Sequence, residues 1–209
     1  MSNTRQKICD AARSLFNEQG YNRVTIRMIA TALNMSSGNL NYHFRKKEDI
    51  LESLYFEMVE VFDSRVQQLD KQEISLGLMQ AGIRSSMMRM IEYRFFWTDL
   101  YFLLKSNEKI GIHFEKVKTD RINGYELVFN SLIQKEILHI SSFPREHQFL
   151  IEGMIDYSNT WLYASSLYKS TNSHIEIVDE ASFRLLFKLY PYLTKMGKRH
   201  FKNLYPGFF

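Results

Sequence analysis

The sequence predicts an all-α protein in which a three-helix domain with a helix-turn-helix precedes a larger helical domain. Only nine glycines and three prolines interrupt 209 residues, and long stretches without either residue favour helices over tightly turned β-structure. Apolar residues recur at helical spacing along most of the chain. The first fifty residues contain two short helical patterns joined by about three residues, which is the arrangement of a helix-turn-helix unit.

Composition is typical of a folded protein in a reducing compartment. Apolar residues make up 45% and charged residues 24% of the chain, an ordinary balance for a globular protein. The single cysteine, Cys9, excludes an internal disulfide and a cysteine-rich zinc module. The N-terminus lacks the apolar segment of a secretory signal, and the most apolar window, Phe95–Leu104, is too short to span a bilayer. We therefore expect a cytoplasmic protein without a membrane partner.

The net positive charge of the chain is confined to its N-terminal quarter. Residues 1–50 contain eight Lys or Arg and four Asp or Glu, whereas the remaining 159 residues contain nineteen of each class. The whole net charge of +4 therefore lies in the segment with the two short helices. This distribution indicates a polyanionic partner for that segment, although charge alone fits an ordinary solvated basic surface equally well.

The first fifty residues carry signals for the start or end of each helix. A first helix is predicted to end at Gly20, which supplies a left-handed residue. Thr25 and Ser36 are expected to cap the second and third helices, because their hydroxyl oxygens accept hydrogen bonds from free backbone N–H groups. Asn34 lies between those helices, and asparagine tolerates the left-handed conformation that a rapid chain reversal needs. The apolar face of the first helix consists of Ile8, Ala11, Ala12, Leu15 and Phe16.

The third predicted helix, about 37–43, separates its side chains into two faces. At about 100° per residue, Leu40 and Phe44 fall on one side, which we expect to be buried. Amides pair with base edges, and Tyr and His bond phosphates, so the opposite face suits DNA. A polar helix face that is merely solvated is the alternative. The opposite face carries Gly38, Asn39, Tyr42 and His43, with Asn41 at its flank.

The run Thr25–Leu51, TIRMIATALNMSSGNLNYHFRKKEDIL, resembles the DNA-binding signature of the TetR family of bacterial transcriptional regulators. Asn34 stands where that pattern has a turn glycine, Asn39 where it has threonine and Asn41 where it has its first tyrosine. The matching positions are Thr25, Ile29, Ala30, Ser36, Gly38, Leu40, Tyr42, His43, Phe44, Lys47 and Glu48.

The resemblance implies a role for individual residues and for the two domains. Residues 1–46 would form the DNA-binding domain, and residues 47–209 a helical domain for ligand binding and dimerisation. The protein would act as a homodimer on a palindromic operator, most simply as a repressor, and respond to a small molecule. The residues implied to hold phosphates are Thr25, Tyr42, His43 and Lys47. The residues implied to face the major groove are Ser36, Ser37, Asn39 and Asn41.

The rest of the chain consists of long helical patterns. A fourth helix is predicted to link the two domains. Further helical windows cover about 73–92, 93–105, 112–135, 145–169 and 176–203. Pro191 lies inside the last window and predicts a kink or break there. The apolar stripe of the linking helix consists of Ile50, Leu51, Leu54, Met58, Val61, Phe62, Val66 and Leu69.

Aromatic residues are dense in the predicted ligand-binding domain. Six of the eleven residues from 93 to 103 are Phe, Trp or Tyr, which predicts a pocket for a lipophilic or aromatic effector, although an ordinary aromatic core is the alternative. Asp156 and Asn159 could orient a polar group of such a ligand, or could simply lie on an exposed face. The candidate ligand-binding residues are Trp97, Tyr101, Tyr157 and Trp161.

The last two windows, 145–169 and 176–203, are expected to form a four-helix dimer interface with their symmetry mates. The reason is an apolar stripe near the end of a chain that otherwise has enough core. The alternative is that the stripe packs only within its own chain. The stripe consists of Phe183, Leu186, Phe187, Tyr190 and Leu193.

Enzymatic chemistry finds no support in the sequence. The six histidines form no H-x-x-x-H pair, and the chain has no G-x-S-x-G, P-loop or G-x-G-x-x-G motif. Cys9 lies on an apolar helix face, where an inert core thiol is expected. We predict no catalytic residues, no metal site and no cofactor. A helical protein-interaction module with a vestigial DNA-binding unit is the competing function.

Overall fold

A computed structural model describes residues 3–66, 73–168 and 171–207, with side chains from residue 4 to residue 60 in the first range. The predicted all-α fold is confirmed. In the described ranges, the only β-pairing is a single bridge between Leu138 and Leu193. The helices are α1 (Asn3–Gln19), α2 (Ile26–Ala32), α3 (Ser37–His43), α4 (Lys47–Val66), α5 (Leu76–Glu92), α6 (Arg94–Thr98), α7 (Leu100–Ser106), α8 (Glu108–Gln134), α9 (Glu146–Ser166), α10 (His174–Phe187) and α11 (Lys195–Leu204).

The chain divides into two compact units. The N-terminal unit consists of Met1–Ser64 with Glu92–Phe114, and the C-terminal unit of Arg65–Ile91 with Glu115–Phe209. The N-terminal unit is therefore larger than the predicted domain 1–46, because most of α4 and the segment containing α6 and α7 belong to the same body.

Aromatic packing explains why the N-terminal unit extends beyond its first three helices. The ring of Phe16 in α1 lies 5.1 Å from that of Tyr21 and 5.2 Å from that of Phe95 in α6. In α4, Tyr55 packs on Phe96, with ring centroids 5.2 Å apart. Each such pair contributes about 0.5–1.5 kcal/mol beyond burial. α1 and α4 are therefore packed on residues that come far later in the sequence.

A polar network holds the same elements in register. The Glu57 carboxylate accepts hydrogen bonds from the Tyr93 hydroxyl at 2.6 Å and the Arg13 guanidinium at 3.3 Å. Arg13 also donates to the Tyr93 oxygen at 2.9 Å. Nearby, the Asn17 side chain accepts a hydrogen bond from the backbone N–H of Phe95 at 3.1 Å. These contacts fix α1 and α4 against the start of α6.

The linking helix is observed as α4, and the described part of its apolar stripe is buried. Ile50, Leu51, Leu54 and Met58 each expose 1% or less of their surface. The side chains predicted to continue the stripe, namely Val61, Phe62, Val66 and Leu69, lie outside the described residues.

Two predicted helices are divided in the structure. The window 93–105 forms α6 and α7, which meet at Asp99. The window 176–203 forms α10 and α11, separated by a 3₁₀ turn at Tyr190–Tyr192. The break at Pro191 is thus confirmed, since proline lacks the N–H that a continuing helix would need.

The apolar stripe proposed for dimer contacts packs within its own chain. Leu186 and Leu193 are fully buried. The ring of Phe183 lies 4.8 Å from that of Tyr205 and 6.1 Å from that of Phe201. Because the chain turns at Pro191, residues of and after α11 cover part of the stripe that a continuous helix would have left open. Phe187 of the stripe is nevertheless 41% exposed, so the dimer contact expected of the last two windows stays a prediction.

Gly197 provides a test of this packing. A Cβ at Gly197 would lie 2.2 Å from the carbonyl oxygen of Ile137, so Gly197→Ala requires α11 to move. We expect a loss of about 1–3 kcal/mol in the free energy of unfolding, measured by urea denaturation. Gly82→Ala in α5 is the matched control, because nothing lies within 4 Å of its Cβ. That change should be neutral or stabilise by up to about 1 kcal/mol. Equal stability of the two variants would contradict the packing described for α11.

Candidate nucleic-acid interface

Side-chain caps set the starts of α2 and α3, as predicted. The Thr25 hydroxyl oxygen accepts a hydrogen bond from the backbone N–H of Met28 at 3.2 Å. The Ser36 hydroxyl oxygen accepts one from the N–H of Asn39 at 3.1 Å. Each cap satisfies a donor that the first helical turn leaves free and contributes about 1 kcal/mol.

The turn between α2 and α3 depends on Asn34. Its φ of 53° lies in the left-handed region, where asparagine is better tolerated than most residues. The N–H of Met35 returns to the carbonyl of Ala30 at 3.0 Å. The prediction that Asn34 replaces a turn glycine by adopting this conformation is confirmed.

The two faces of α3 differ sharply in exposure. Leu40 is fully buried and Phe44 is 2% exposed, whereas Tyr42 is 86% exposed. His43 is half-buried, with its ring 5.2 Å from that of Tyr42. The predicted inward and outward faces are therefore observed. The exposed residues of this segment are Ser36, Ser37, Gly38, Asn39, Asn41 and Tyr42.

Arg5 fixes the C-terminal end of α3. Its guanidinium donates to the carbonyl of His43 at 2.7 Å and lies 4.0 Å from the centre of the Phe44 ring. A cation at this end neutralises the partial negative charge of the free carbonyls. This role of Arg5 is not visible in the sequence, because only the fold brings together two residues that are 38 positions apart.

Lys47 is engaged inside the N-terminal unit. Its ammonium group donates to the carbonyls of Tyr21 at 2.9 Å and Val24 at 3.0 Å, and lies 4.1 Å from the centre of the Tyr21 ring. Burial lowers the pKa of this ammonium, and the charge of Glu48 opposes that shift. The structure thus gives Lys47 a structural role at the start of α2, and its expected phosphate contact remains a prediction.

Exposed cations flank the two short helices. An outward helix face of amides and hydroxyls bounded by cations can pair with base edges while the cations hold phosphates. These residues define the N-terminal unit as a helix-turn-helix DNA-binding domain. The cations are Arg23, Arg27, Arg45 and Lys46.

Comparison with known proteins gives the family. The family model of bacterial regulatory proteins of the tetR family matches residues 8–54, and that of a bacterial transcriptional repressor matches residues 57–201. The chain therefore belongs to the TetR family of transcriptional regulators. This membership agrees with the prediction that the chain is not an enzyme.

Individual relatives extend the similarity to most of the chain. The HTH-type transcriptional regulator QacR of Staphylococcus aureus strain Mu50 is 28% identical over 138 residues, which are 61% of this chain and 69% of QacR. The regulator HbdR of Aromatoleum sp. strain CIB is 25% identical over 204 residues, 93% of this chain and 82% of HbdR. A TetR-family regulator from Marinobacter aquaeolei VT8 shares the fold, with a TM-score of 0.87, 24% identity and 97% of each chain covered.

The four residues predicted to bind an effector lie in different units. Trp97 and Tyr101 belong to the N-terminal unit, and Tyr157 and Trp161 to the C-terminal unit. Trp97 is 6% exposed, and its indole N–H has no hydrogen-bond acceptor in the described part of the chain. Tyr101 is 77% exposed, so its side chain lines no enclosed site within its own unit.

The two C-terminal candidates are already in contact with neighbours. Trp161 is 2% exposed and its indole N–H points at the Met90 sulfur at 3.3 Å. Tyr157 is half-buried, with the Lys188 ammonium 5.4 Å from its ring. Trp161 thus belongs to the core of its unit. Ligand contacts for all four residues stay a prediction.

Asp156 and Asn159, the two polar residues expected to orient a ligand, differ in their surroundings. Asp156 is exposed, whereas Asn159 accepts a hydrogen bond from Arg121 at 2.7 Å. The sequence did not predict Arg121 as a partner of Asn159. Its helical spacing from the apolar residues of α8 is nevertheless a signal that the sequence contains.

Neither the single cysteine nor the acidic and histidine side chains of the described residues form a reactive or metal-binding site. Cys9 is fully buried, and burial raises the pKa of its thiol, in accordance with an inert core residue. In residues 3–66, 73–168 and 171–207, no group of three or more His, Cys, Asp or Glu is placed to hold a metal ion. None of the helices in those ranges is long and apolar enough to cross a membrane.

The two adjacent lysines allow the structural role of Lys47 to be tested. Lys47→Met removes two charged hydrogen bonds and leaves two backbone carbonyls without their donor, so the unfolding free energy should fall by about 1–3 kcal/mol. Lys46→Met is the control, because Lys46 is exposed and its replacement should change stability by under about 0.5 kcal/mol. Thermal and urea unfolding followed by circular dichroism measure both. Equal effects of the two changes would exclude the structural role.

Proposed function

We propose that this TetR-family regulator is a ligand-responsive repressor that binds a two-fold symmetric operator as a homodimer. The observation that supports this most directly is the outward face of α3, which is exposed, polar and held by caps at its start and a cation at its end. In a dimer, two such helices must lie about 34 Å apart, or a multiple of it, to enter successive major grooves.

The residues of the interface divide into base-reading and phosphate-binding groups. Asn39 and Asn41 offer amides that can pair with base edges, assisted by the hydroxyls of Ser36 and Ser37. Because the Ser36 oxygen already accepts a backbone hydrogen bond, its hydroxyl proton and its second lone pair are left for DNA. The proposed phosphate contacts are Thr25, Tyr42, His43 and, as predicted from the sequence, Lys47.

Two exposed residues of α3 separate these roles. Asn39→Ala should weaken binding to the operator by about 1–3 kcal/mol and leave non-specific binding nearly unchanged, because only base contacts distinguish sequences. Tyr42→Phe removes a single hydroxyl from a side chain that is 86% exposed. It should weaken specific and non-specific binding by the same factor.

The measurement uses a duplex selected by the wild-type protein from a random pool, with a scrambled duplex of equal composition as the non-specific probe. Fluorescence anisotropy at fixed salt gives both affinities, and melting temperatures establish that each variant is folded. If both variants lose specific and non-specific binding equally, our assignment of the base-reading face is wrong. If the wild type retains no duplex, the protein-interaction module becomes the better reading.

The dimer surface is proposed to centre on α9, the first of the two helical windows expected to form it. Apolar side chains project from one face of α9, where Phe149 is 52%, Tyr163 49% and Leu167 57% exposed. Asp156 and Thr160 lie on the same face and are also exposed. Exposed apolar side chains at helical spacing are typical of a surface that packs against another helix.

A charge placed on this surface tests the proposed dimer. Tyr163→Lys should shift the protein from dimer to monomer in sedimentation at micromolar concentration, because an unpaired charge would be buried in the interface. Ile140→Lys is the control, since Ile140 is an exposed apolar residue (77%) outside α9, and it should leave the dimer intact. A monomeric wild type, or an unchanged Tyr163→Lys dimer, contradicts the surface proposed here.

The effector is proposed to be lipophilic or aromatic, with Trp97, Tyr101, Tyr157 and Trp161 as candidate contacts. The buried indole N–H of Trp97 supports this, because an acceptor on a ligand would satisfy it. Effector binding would release DNA by moving α4, which begins directly after α3. The shift in DNA affinity cannot exceed the difference between the ligand's affinities for the two conformations.

A further inference from the structure

Arg121 occupies a core position of α8. It falls on the helix face that the C-terminal unit buries, in register with apolar residues before and after it. Val128 is 8% exposed and Leu132 is fully buried, whereas Asn123 and Leu127 on the opposite face are exposed. Arg121 itself is half-buried, and an arginine in an apolar register is unusual, since arginines are almost never buried unless they are paired. The apolar residues that share its register are Ile110, Phe114, Val117, Val128 and Leu132.

The partners of Arg121 are neutral. Its guanidinium donates to the Asn159 side-chain oxygen at 2.7 Å and to the Ser158 hydroxyl oxygen. Ser158 is 8% exposed and its own hydroxyl donates to the carbonyl of Ile155 at 2.8 Å. No carboxylate lies within ion-pair distance of Arg121 in the described part of the chain.

The protonation of Arg121 reflects this environment. Burial lowers the pKa of the guanidinium, and Tyr125 and the charge of Asp156 oppose that shift. Asp156 is exposed, so water screens its charge. Arginine stays protonated at neutral pH even so. Arg121 is therefore a half-buried cation whose hydrogen-bond partners in the described residues are a neutral amide and a neutral hydroxyl.

We propose that Arg121 binds the anionic group of the effector, which is therefore an organic acid. Removing even part of a charge from water without a counter-ion is costly, and an anion arriving with the ligand would supply that counter-ion. The planar guanidinium suits carboxylate, sulfonate and phosphate oxygens, which it can bind through two parallel hydrogen bonds. This inference rests on the proposed ligand-responsive function and specifies its ligand class.

The surroundings of Arg121 fit the apolar body of such a ligand. Gly124 lies one helical turn further along α8, and nothing lies within 4 Å of the Cβ that it lacks. A glycine in a helix interior costs about 1 kcal/mol relative to alanine, and no neighbour among the described residues requires one here. Trp161 follows Ser158 by one turn on the buried face of α9. Open space beside one helix and an aromatic ring on the other suit an aromatic or aliphatic group.

The test compares two probes that differ only in their anionic group, 8-anilinonaphthalene-1-sulfonate and the neutral N-phenyl-1-naphthylamine. Both become fluorescent on entering an apolar site. Arg121→Met should weaken binding of the sulfonate at least tenfold, because the counter-ion is lost. The same change should alter binding of the neutral probe less than threefold. Decanoate should displace the sulfonate from the wild type better than decan-1-ol does, since only the former is an anion.

A second variant, Arg121→Lys, separates the effect of the charge on probe binding from the effect of the guanidinium geometry. Arg121→Lys retains the charge but not the planar fork, and should lie between the wild type and Arg121→Met in sulfonate affinity. Circular dichroism and cooperative unfolding establish that each variant is folded. Equal losses for both probes, unchanged affinity for the sulfonate, or no saturable sulfonate binding by the wild type would each overturn the proposal.

DNA binding is measured separately on the selected duplex. Arg121→Met should retain the wild-type DNA affinity and lose release of the duplex by decanoate. Failure of the wild type to bind any duplex would contradict the proposed function, while the probe comparison would still decide the role of Arg121.

Discussion

A seven-residue helix is not stable by itself in water, and α3 must nevertheless present its side chains in a fixed direction. The helix buries only Leu40, and Phe44 directly after it, and exposes nearly everything else. Its geometry therefore depends on the supporting body into which those two side chains insert. That body is the N-terminal unit, to which α4, α6 and α7 also belong.

Cations hold backbone ends in this unit as well as offering charge to a partner. Arg5 satisfies the carbonyl of His43, and Lys47 satisfies those of Tyr21 and Val24. The carbonyl of His43 ends α3, and those of Tyr21 and Val24 lie in the short segment before α2. The cations of the first fifty residues thus serve in two ways: some hold backbone carbonyls, and others, such as Arg45, are exposed.

The two units treat a poorly exposed guanidinium in different ways. In the N-terminal unit, Arg13 meets the carboxylate of Glu57 and the hydroxyl of Tyr93, so its charge is compensated within the chain. In the C-terminal unit, Arg121 meets a hydroxyl and an amide instead. The charge of Arg13 is neutralised on folding, since cation and anion are desolvated together. The charge of Arg121 has no counter-ion among its hydrogen-bond partners, so a bound ligand would have to supply one.

The sequence by itself determined the local features: the caps at Thr25 and Ser36, the left-handed Asn34 and the inward and outward faces of α3. These depend on neighbours within a few residues, whose spacing the chain fixes. Most helices and the break at Pro191 followed for the same reason. The tertiary structure alone decided that Lys47 holds backbone carbonyls, that Arg121 lies among neutral partners, and that residues of and after α11 cover part of the α10 stripe. Such outcomes depend on residues that are distant in the sequence. The periodicity of apolar residues specifies which face of a helix is buried, but it does not specify which residues cover that face.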